Sequence, residues 1–266
     1  KKERIKKMQP IIIKMQNDLN TRVQDSSEIF QTKAYNQLGK LLKEILSVID
    51  SHSTSSKEPI IKHRVFNTIF IEGDRGTGKT TFLLNLYNML KGENTQDDHS
   101  GVLSQLKFSQ PIDPNFLDNS GGVQENFLSA IIACLFNHFQ NDWHVAPGKQ
   151  FQDDWYMPDE VDRTQPIFQA ADKVAQSLKS LQEQPPIGLE KIVSFQSNFR
   201  LEQHLHEFFG SLKNYLGVKA IVLLIDDTDM SMEKCSEAID IIHRYLTSPF
   251  VIPIVSGHKT LYEALL

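Results

Sequence analysis

Apolar and polar residues follow one another in blocks along this chain, and the period within each block predicts the local structure. Residues 1–24 are predicted to be mostly helical, with a break or kink at Pro10. Six apolar residues then recur at helical spacing: Leu38, Leu41, Leu42, Ile45, Leu46 and Ile49. A polar segment at 51–57 follows, typical of a loop or linker. These patterns predict that residues 1–58 form a helical extension.

From residue 59 onward, short β-branched and apolar runs alternate with longer amphipathic ones. Strands are predicted over 65–71, 102–108, 220–225 and 250–255, and helices over 80–90, 125–139, 167–183, 199–214 and 232–246. The continuous apolar run at 220–225 is typical of a strand buried on both faces. Pro253 is awkward for a central strand because proline has no N–H to donate.

Strands that alternate with helices predict an α/β fold with three layers and a mostly parallel central sheet. Aromatic, acidic and proline residues mix between 141 and 198, and this composition predicts an irregular insertion that carries one helix. The predicted organisation is therefore a helical extension (1–58) and an α/β domain (59–266) with an insertion at about 141–198.

Composition excludes several classes of protein. The chain has 266 residues, of which 40% are hydrophobic and 23% charged, values that are ordinary for a soluble globular protein. No apolar run approaches the roughly 18 residues that a membrane span needs. Cys134 and Cys235 both lie in apolar segments, which favours buried thiols in a reducing, cytoplasmic compartment over a disulfide framework.

The charge is unevenly distributed along the chain. Residues 1–64 carry 13 basic and 7 acidic residues, and the remainder carries 15 and 26. The basic start is compatible with contact to nucleic acid or an acidic partner, or with a solvated helix end. The acidic remainder argues against a broad nucleic-acid-binding face. The first residue is Lys1 and residues 261–266 look like a helix that has only begun, so we expect a piece of a longer protein.

A glycine-rich loop lies between a predicted strand and a predicted helix. Gly73-Asp74-Arg75-Gly76-Thr77-Gly78-Lys79-Thr80 matches G-x-x-x-x-G-K-[ST] at every fixed position. Glycines let backbone N–H groups surround phosphate oxygens, and the helix N-terminus adds its positive dipole end. Lys79 is predicted to reach the β- and γ-phosphates and Thr80 to bind Mg²⁺, while Thr81 completes the predicted nucleotide-binding set. The alternative is a chance glycine turn.

Two carboxylates end the apolar run at 220–225. Asp226 is predicted to hold Mg²⁺, and Asp227 to orient or deprotonate an attacking water. Asp229 is a reserve candidate for either role. The alternative is a helix N-cap or turn after a buried strand, where Asp is common.

The glycine loop and the paired acids resemble the additional-strand, catalytic-carboxylate class of P-loop ATPases, which includes AAA+, STAND and KAP-type ATPases. The resemblance covers roughly 65–90 and 219–258. It implies that strand 250–255 lies between the two motif strands and ends in a sensor residue, either Ser256 or His258. An ordinary turn with Ser256 as a helix cap is the alternative. Asp227 stands where AAA+ proteins usually have Glu. This difference leaves the rate of hydrolysis undetermined, whereas the expectation of nucleotide binding is unchanged.

This resemblance implies Mg²⁺-dependent ATP hydrolysis in an oligomeric, ring-forming machine with a protein partner or effector. No guanine-recognition motif N/T-K-x-D is found, so ATP is the expected nucleotide. Arg244 is either an interface residue or an exposed arginine at a helix end, and an arginine finger and lid are expected beyond residue 266.

The chain also resembles bacterial defence ATPases, in particular the ATPase component of RADAR-type antiphage systems, which works beside an adenosine deaminase. A nucleotide-gated signalling or scaffold module is the first alternative, and a nucleic-acid motor is the second.

Overall fold

The computed structural model describes residues 11–14, 31–51, 64–89, 100–116, 127–143, 166–182, 189–228 and 232–258. Its strands are β1 (Ile11–Lys14), β2 (Ile69–Glu72), β3 (Leu106–Phe108), β4 (Ala220–Ile225) and β5 (Val251–Gly257). Its helices are α1 (Thr32–Ser51), α2 (Lys79–Met89), α3 (Ser100–Leu103), α4 (Phe127–Trp143), α5 (Pro166–Gln182), α6 (Leu189–Leu216) and α7 (Met232–Tyr245), and Pro114–Phe116 forms a 3₁₀ turn.

The five strands form one sheet in the order β1-β2-β5-β4-β3, and every neighbouring pair is parallel. The prediction of a parallel α/β sheet is confirmed. The placement of β5 between β2 and β4 is confirmed as well. All the carboxyl ends of parallel strands meet at one edge of a sheet, so the loops that follow β2, β4 and β5 are neighbours.

Helices cover both faces of the sheet. Along β4 every side chain is buried, as the continuous apolar run predicted. Ile221, Leu223 and Ile225 pack into one core with residues from α4, α5, α6 and α7. The alternate residues of the same strand pack into a second core with α1, α2 and α3. This alternation follows from the two-residue period of a strand and produces three layers.

The prediction of a helical extension over residues 1–58 is wrong at its start. Ile11–Lys14 is a strand that pairs in parallel with β2, from Ile11 with Ile69 to Lys14 with Glu72. The helix predicted from the apolar spacing is present as α1, but its apolar face packs into the core that also holds α2, β4 and β5. The run Ile11-Ile12-Ile13 is β-branched, and β-branched residues favour strands once a sheet edge is available.

Three other boundaries differ from the predictions. Strand β2 begins at Ile69, after an irregular lead, and residues 102 and 103 of the strand predicted at 102–108 belong to the short helix α3. Helix α6 begins at Leu189 instead of at the predicted residue 199, whereas α5 matches the helix predicted at 167–183. Both helices contribute to the core beside α4, because their apolar residues recur at helical spacing. Several predictions fall outside the described residues: residues 1–10 and 15–24 of the helical stretch, residues 52–57 of the linker predicted at 51–57, residues 144–165 and 183–188 of the insertion, and Asp229.

Pro253 has no N–H to donate, yet it lies in a central strand. Its nitrogen faces the β2 side of β5, at a position where the pairing of β5 with β2 has not yet begun. The Val251 carbonyl points toward the β2 side and accepts a hydrogen bond from Asn67 Nδ2 at 2.8 Å. Backbone polar groups alternate sides along a strand, so Pro253 faces the same side as Val251. The β2–β5 pairing starts only at Ile69 with Ile254, one residue later.

Both cysteines carry free thiols within the helical layer on one face of the sheet. Burial raises the pKa of the Cys134 thiol to about 11, so little reactive thiolate forms at neutral pH. Cys235 is completely buried in the core. The prediction of a buried thiol is confirmed for Cys235, whereas Cys134 is only half-buried. Among the described helices, none combines the length and the apolar character that crossing a membrane requires.

The first prediction tests whether α1 belongs to the folding core. Leu38 is 1% exposed, whereas Val48 on the same helix is 37% exposed. We expect Leu38→Ala to lower the free energy of unfolding by about 2–5 kcal/mol, because it leaves a cavity beneath the sheet. The control Val48→Ala should change it by about 0.5 kcal/mol or less. Equal effects of the two variants in urea denaturation would contradict the assignment of α1 to the core.

Candidate functional site

The glycine-rich loop joins β2 to α2 and has the backbone that its sequence requires. Gly76 and Gly78 have φ of +85° and +86°, a region that glycine adopts without steric cost. Thr77 closes the loop on itself, since its Oγ1 and its backbone N donate to the Asp74 carbonyl at 2.9 and 3.3 Å. Helix α2 begins at Lys79, directly after the second of these glycines. The positive end of the helix dipole therefore lies at the loop.

Lys79 places its ammonium inside the curve of the loop. Its Nζ donates to the carbonyl of Gly73 at 2.6 Å and to that of Asp74 at 3.2 Å. The side chain is largely buried, with 8% of its surface exposed. A buried ammonium needs hydrogen-bond partners, and these carbonyls supply them. The loop thus holds a positive charge in place at the helix N-terminus.

Asp226 and Asp227 follow β4 at the same edge of the sheet, and Ser256 of β5 joins them. Ser256 Oγ donates to Asp226 Oδ1 at 2.5 Å and accepts a hydrogen bond from the backbone N–H of Asp227 at 3.1 Å. Ser256 is completely buried and Asp226 is 6% exposed. One hydroxyl therefore sets both the orientation of the first carboxylate and the backbone position of the second.

Asp227 has an uncommon backbone conformation, with φ of +52°. Asp is one of the few residues other than glycine that visits this region, and local strain of this kind clusters at functional sites. Asn115 Nδ2 donates to the Asp227 carbonyl at 2.6 Å, and Asp113 Oδ1 accepts from both the backbone N and the Nδ2 of Asn115. The side chains of Ser256 in β5 and Asn115 in the 3₁₀ turn thus hold both backbone groups of Asp227.

Asn115 was not predicted from the sequence. It lies in the segment Asp113-Pro114-Asn115, which by itself is typical of a turn. Its position after β3, the strand beside β4, was the available signal, because polar residues after neighbouring parallel strands meet at one edge.

The two motifs share one pocket of about 560 Å³. It is lined by Arg75, Gly76, Thr77, Gly78, Lys79, Thr80, Thr81 and Asp227. Seven of these residues are the loop and the first turn of α2, and the eighth comes from the end of β4. The structure therefore brings together residues that are separated by about 150 positions in the sequence, as the parallel sheet predicted.

The remaining predicted residues do not line this pocket. Asp226 and Ser256 are buried behind Asp227, and Gly73 and Asp74 form the start of the loop. His258 Nε2 lies 3.3 Å from Asp74 Oδ1, so the segment after β5 contacts the loop. Ser256 and His258, the two alternatives for the sensor, therefore face different groups. Arg244 is exposed in the last turn of α7.

The donor set suits Mg²⁺ that is bound together with phosphate. Mg²⁺ prefers oxygen ligands and is usually held by one or two protein groups, waters and phosphate oxygens. The Thr80 hydroxyl and the Asp226 carboxylate are oxygen donors of this kind. The part of the chain that the structure describes contains no cluster of three or more His, Cys, Asp or Glu side chains suited to an all-protein metal site.

Comparison with known proteins does not assign the chain to a family. No protein-family profile matches it, and no curated protein does. The interpretation of the pocket therefore rests on its own geometry: a glycine loop with a buried ammonium, facing two acids that are held by hydrogen bonds.

The second prediction tests the role of Ser256 in holding the acids. Ser256→Ala removes a donor to the buried Asp226 carboxylate and an acceptor for the Asp227 N–H. We expect the free energy of unfolding to fall by about 1–3 kcal/mol, the usual cost of unsatisfied buried polar groups. The control is Ser104→Ala, since Ser104 makes an exposed hydrogen bond to the Gly101 carbonyl. If both variants unfold at the same denaturant concentration as the wild-type chain, Ser256 does not hold the acids.

Proposed function

We propose that this chain is a Mg²⁺-dependent ATPase of the additional-strand P-loop class. The observation that carries the proposal is the position of β5 between β2 and β4, with Asp227 lining the same pocket as the glycine loop. A chance glycine turn would not need an acidic strand end across the pocket from it. The oxygen donors, the helix N-terminus and the buried ammonium support phosphate and Mg²⁺ as the ligands.

In this proposal the loop binds the triphosphate. The backbone N–H groups around Gly76 and Gly78 donate to phosphate oxygens, and the N-terminus of α2 adds favourable charge. When ATP binds, the Lys79 ammonium donates to the β- and γ-phosphates in place of the carbonyls of the loop, because phosphate oxygens are stronger acceptors for an ammonium. The Thr80 hydroxyl and the Asp226 carboxylate would hold Mg²⁺, and the hydrogen bond from Ser256 orients Asp226.

Asp227 orients the attacking water and accepts its proton. Asp227 lines the pocket, and its backbone is held by Ser256 and Asn115. Bound Mg²⁺ supplies positive charge that neutralises the phosphate oxygens. Lys79 adds to that neutralisation, so catalysis consists mainly of positioning and charge stabilisation. A role of Ser256 or His258 in sensing the γ-phosphate stays a prediction.

A nucleotide-gated switch is the second candidate function. Asp227 is one methylene shorter than the Glu that is usual in AAA+ proteins, and its backbone is held from both sides, so its carboxylate has a short reach. Slow hydrolysis would then prolong an ATP-bound state that a partner reads. Assembly into a ring, a protein effector and a role in antiviral defence stay predictions from the resemblance.

The third prediction tests the nucleotide site. Lys79→Ala removes the ammonium inside the loop, and charge-assisted hydrogen bonds are worth about 1.5–3 kcal/mol, so we expect ATP affinity to fall roughly 10- to 100-fold. Isothermal titration with ATP and Mg²⁺ measures this. The matched control is Lys173→Ala, because Lys173 pairs with Glu207 between α5 and α6. Unchanged affinity in a folded Lys79→Ala protein would rule out the phosphate-binding assignment.

The fourth prediction separates hydrolysis from binding. Asn adopts a positive φ about as readily as Asp, so Asp227→Asn should keep the backbone contacts while it removes the charge. We expect ATP affinity within about threefold of the wild type and turnover lower by roughly 10²- to 10⁴-fold, the usual contribution of a general base. Phosphate release at saturating ATP measures turnover.

Two outcomes of this experiment would contradict the role of Asp227 or the ATPase proposal. Unchanged turnover in Asp227→Asn would exclude Asp227 as the base. Negligible turnover in the wild-type chain, together with clear ATP binding, would favour the nucleotide-gated switch over the ATPase.

A further inference from the structure

Gln31 has a backbone conformation that its sequence does not explain. Its φ is +75°, in the left-handed region that side chains other than glycine, Asn and Asp rarely adopt. The residue lies directly before α1, and its carbonyl accepts a hydrogen bond from the Tyr35 backbone N at 3.1 Å. Gln31 is therefore the N-cap residue of α1, a position where Ser, Thr, Asp, Asn and Gly are preferred. Both the conformation and the position disfavour glutamine.

The side chain of Gln31 contacts the glycine-rich loop at residues 73–80, which under the proposed function is the phosphate loop. Its Nε2 donates to the Thr77 carbonyl at 3.0 Å, across 46 positions of sequence. A Cβ placed on Gly78 would lie 3.3 Å from the same Nε2, which is tighter than ordinary van der Waals contact. The glycine at position 78 thus serves two purposes: it permits the positive φ, and it leaves room for the amide of Gln31.

This hydrogen bond constrains the peptide group between Thr77 and Gly78. The peptide is trans and planar, so its C=O and its N–H point in opposite directions. When Gln31 holds the Thr77 carbonyl on one side, the Gly78 N–H is directed to the other. Gly78 is one of the residues that line the pocket where phosphate would bind.

The packing of α1 on α2 keeps Gln31 in place. The rings of Tyr35 and Phe82, one in the first turn of each helix, meet edge to face with centroids 5.2 Å apart. Leu38 and Leu42 of α1 are buried in the same core as Leu83 and Leu86 of α2. The start of α1 and the start of α2 are therefore packed together, and Gln31 and the phosphate loop lie at these starts.

We infer that Gln31 is a positioning residue for the phosphate loop: its amide holds the Thr77–Gly78 peptide so that the Gly78 N–H is ready to bind phosphate. This inference rests on the proposed function. Observed strain is a reason to look for a functional contact, and the hydrogen bond to the loop is such a contact. Preorganisation of this kind raises affinity because the loop loses less freedom on binding.

The experiment compares Gln31→Gly and Gln31→Ala with the wild-type chain. Glycine is well tolerated at an N-cap and at positive φ, so Gln31→Gly should melt at the same temperature or higher while it loses the amide. We expect the Kd for MgATP to rise roughly two- to tenfold in both variants, the worth of one hydrogen bond. The Kd for tripolyphosphate should rise by the same factor, because the contact acts on the phosphate loop. The control is Gln105→Ala, whose amide donates to the Gly101 carbonyl at 2.5 Å on an exposed surface.

The outcomes distinguish this inference from the proposed function. If Lys79→Ala weakens MgATP binding and Gln31→Gly does not, the role of Gln31 is wrong and the nucleotide site stands. If neither variant changes affinity, both are wrong. A loss for MgATP without a loss for tripolyphosphate would place the effect on the nucleoside and overturn the inference. Weaker binding of both ligands by a Gln31→Gly protein of undiminished thermal stability, with Gln105→Ala unchanged, is the result we expect.

Discussion

Strand β5 pairs with β2 on one side and with β4 on the other, and the site depends on this pairing. All three strands are parallel, so the segments that follow them leave the sheet at one edge. The glycine loop after β2, the two acids after β4 and Ser256 at the end of β5 are thereby held within reach of one another. Because β4 and β5 are buried on both faces, little can shift without loss of core packing.

Unusual backbone conformations concentrate at that edge. Gly76, Gly78, Gln31 and Asp227 all have positive φ, and all four lie in or against the pocket region. The glycines adopt this region freely, whereas Gln31 and Asp227 adopt it at a cost and are held there by hydrogen bonds. Strain of this kind persists only where the surrounding structure determines it fully. The rigid sheet supplies that support, and the side chains of Asn115, Ser256 and Gln31 apply it to particular peptide groups.

The glycine loop could be recognised from a local pattern, whereas the residues that contact it could not. The glycines, Lys79 and Thr80 lie at fixed spacing within one short segment, so residues 73–80 could be recognised without knowledge of the fold. Asn115 and Gln31 act across 112 and 46 positions and belong to no motif. Their contribution depends on which loop faces which, and single-residue propensities carry no information on that. The prediction of a helix at Ile11–Lys14 was wrong for the same reason, since a short apolar run forms a strand only when the edge of a sheet is available for pairing.

What the sequence by itself determined was the α/β class of fold and the residue types that follow two of its strands. The alternation of apolar runs specified parallel strands and covering helices, because burial of apolar faces requires those layers. The resemblance to the additional-strand P-loop class, and not the apolar pattern, implied that β5 lies between the motif strands. Only the tertiary structure decided that β1 extends the sheet, that α1 belongs to the core, and that Ser256 bonds to the acids. Those features depend on long-range packing, in which distant segments compete for the same faces and hydrogen-bonding groups, and the outcome of that competition is a property of the whole chain.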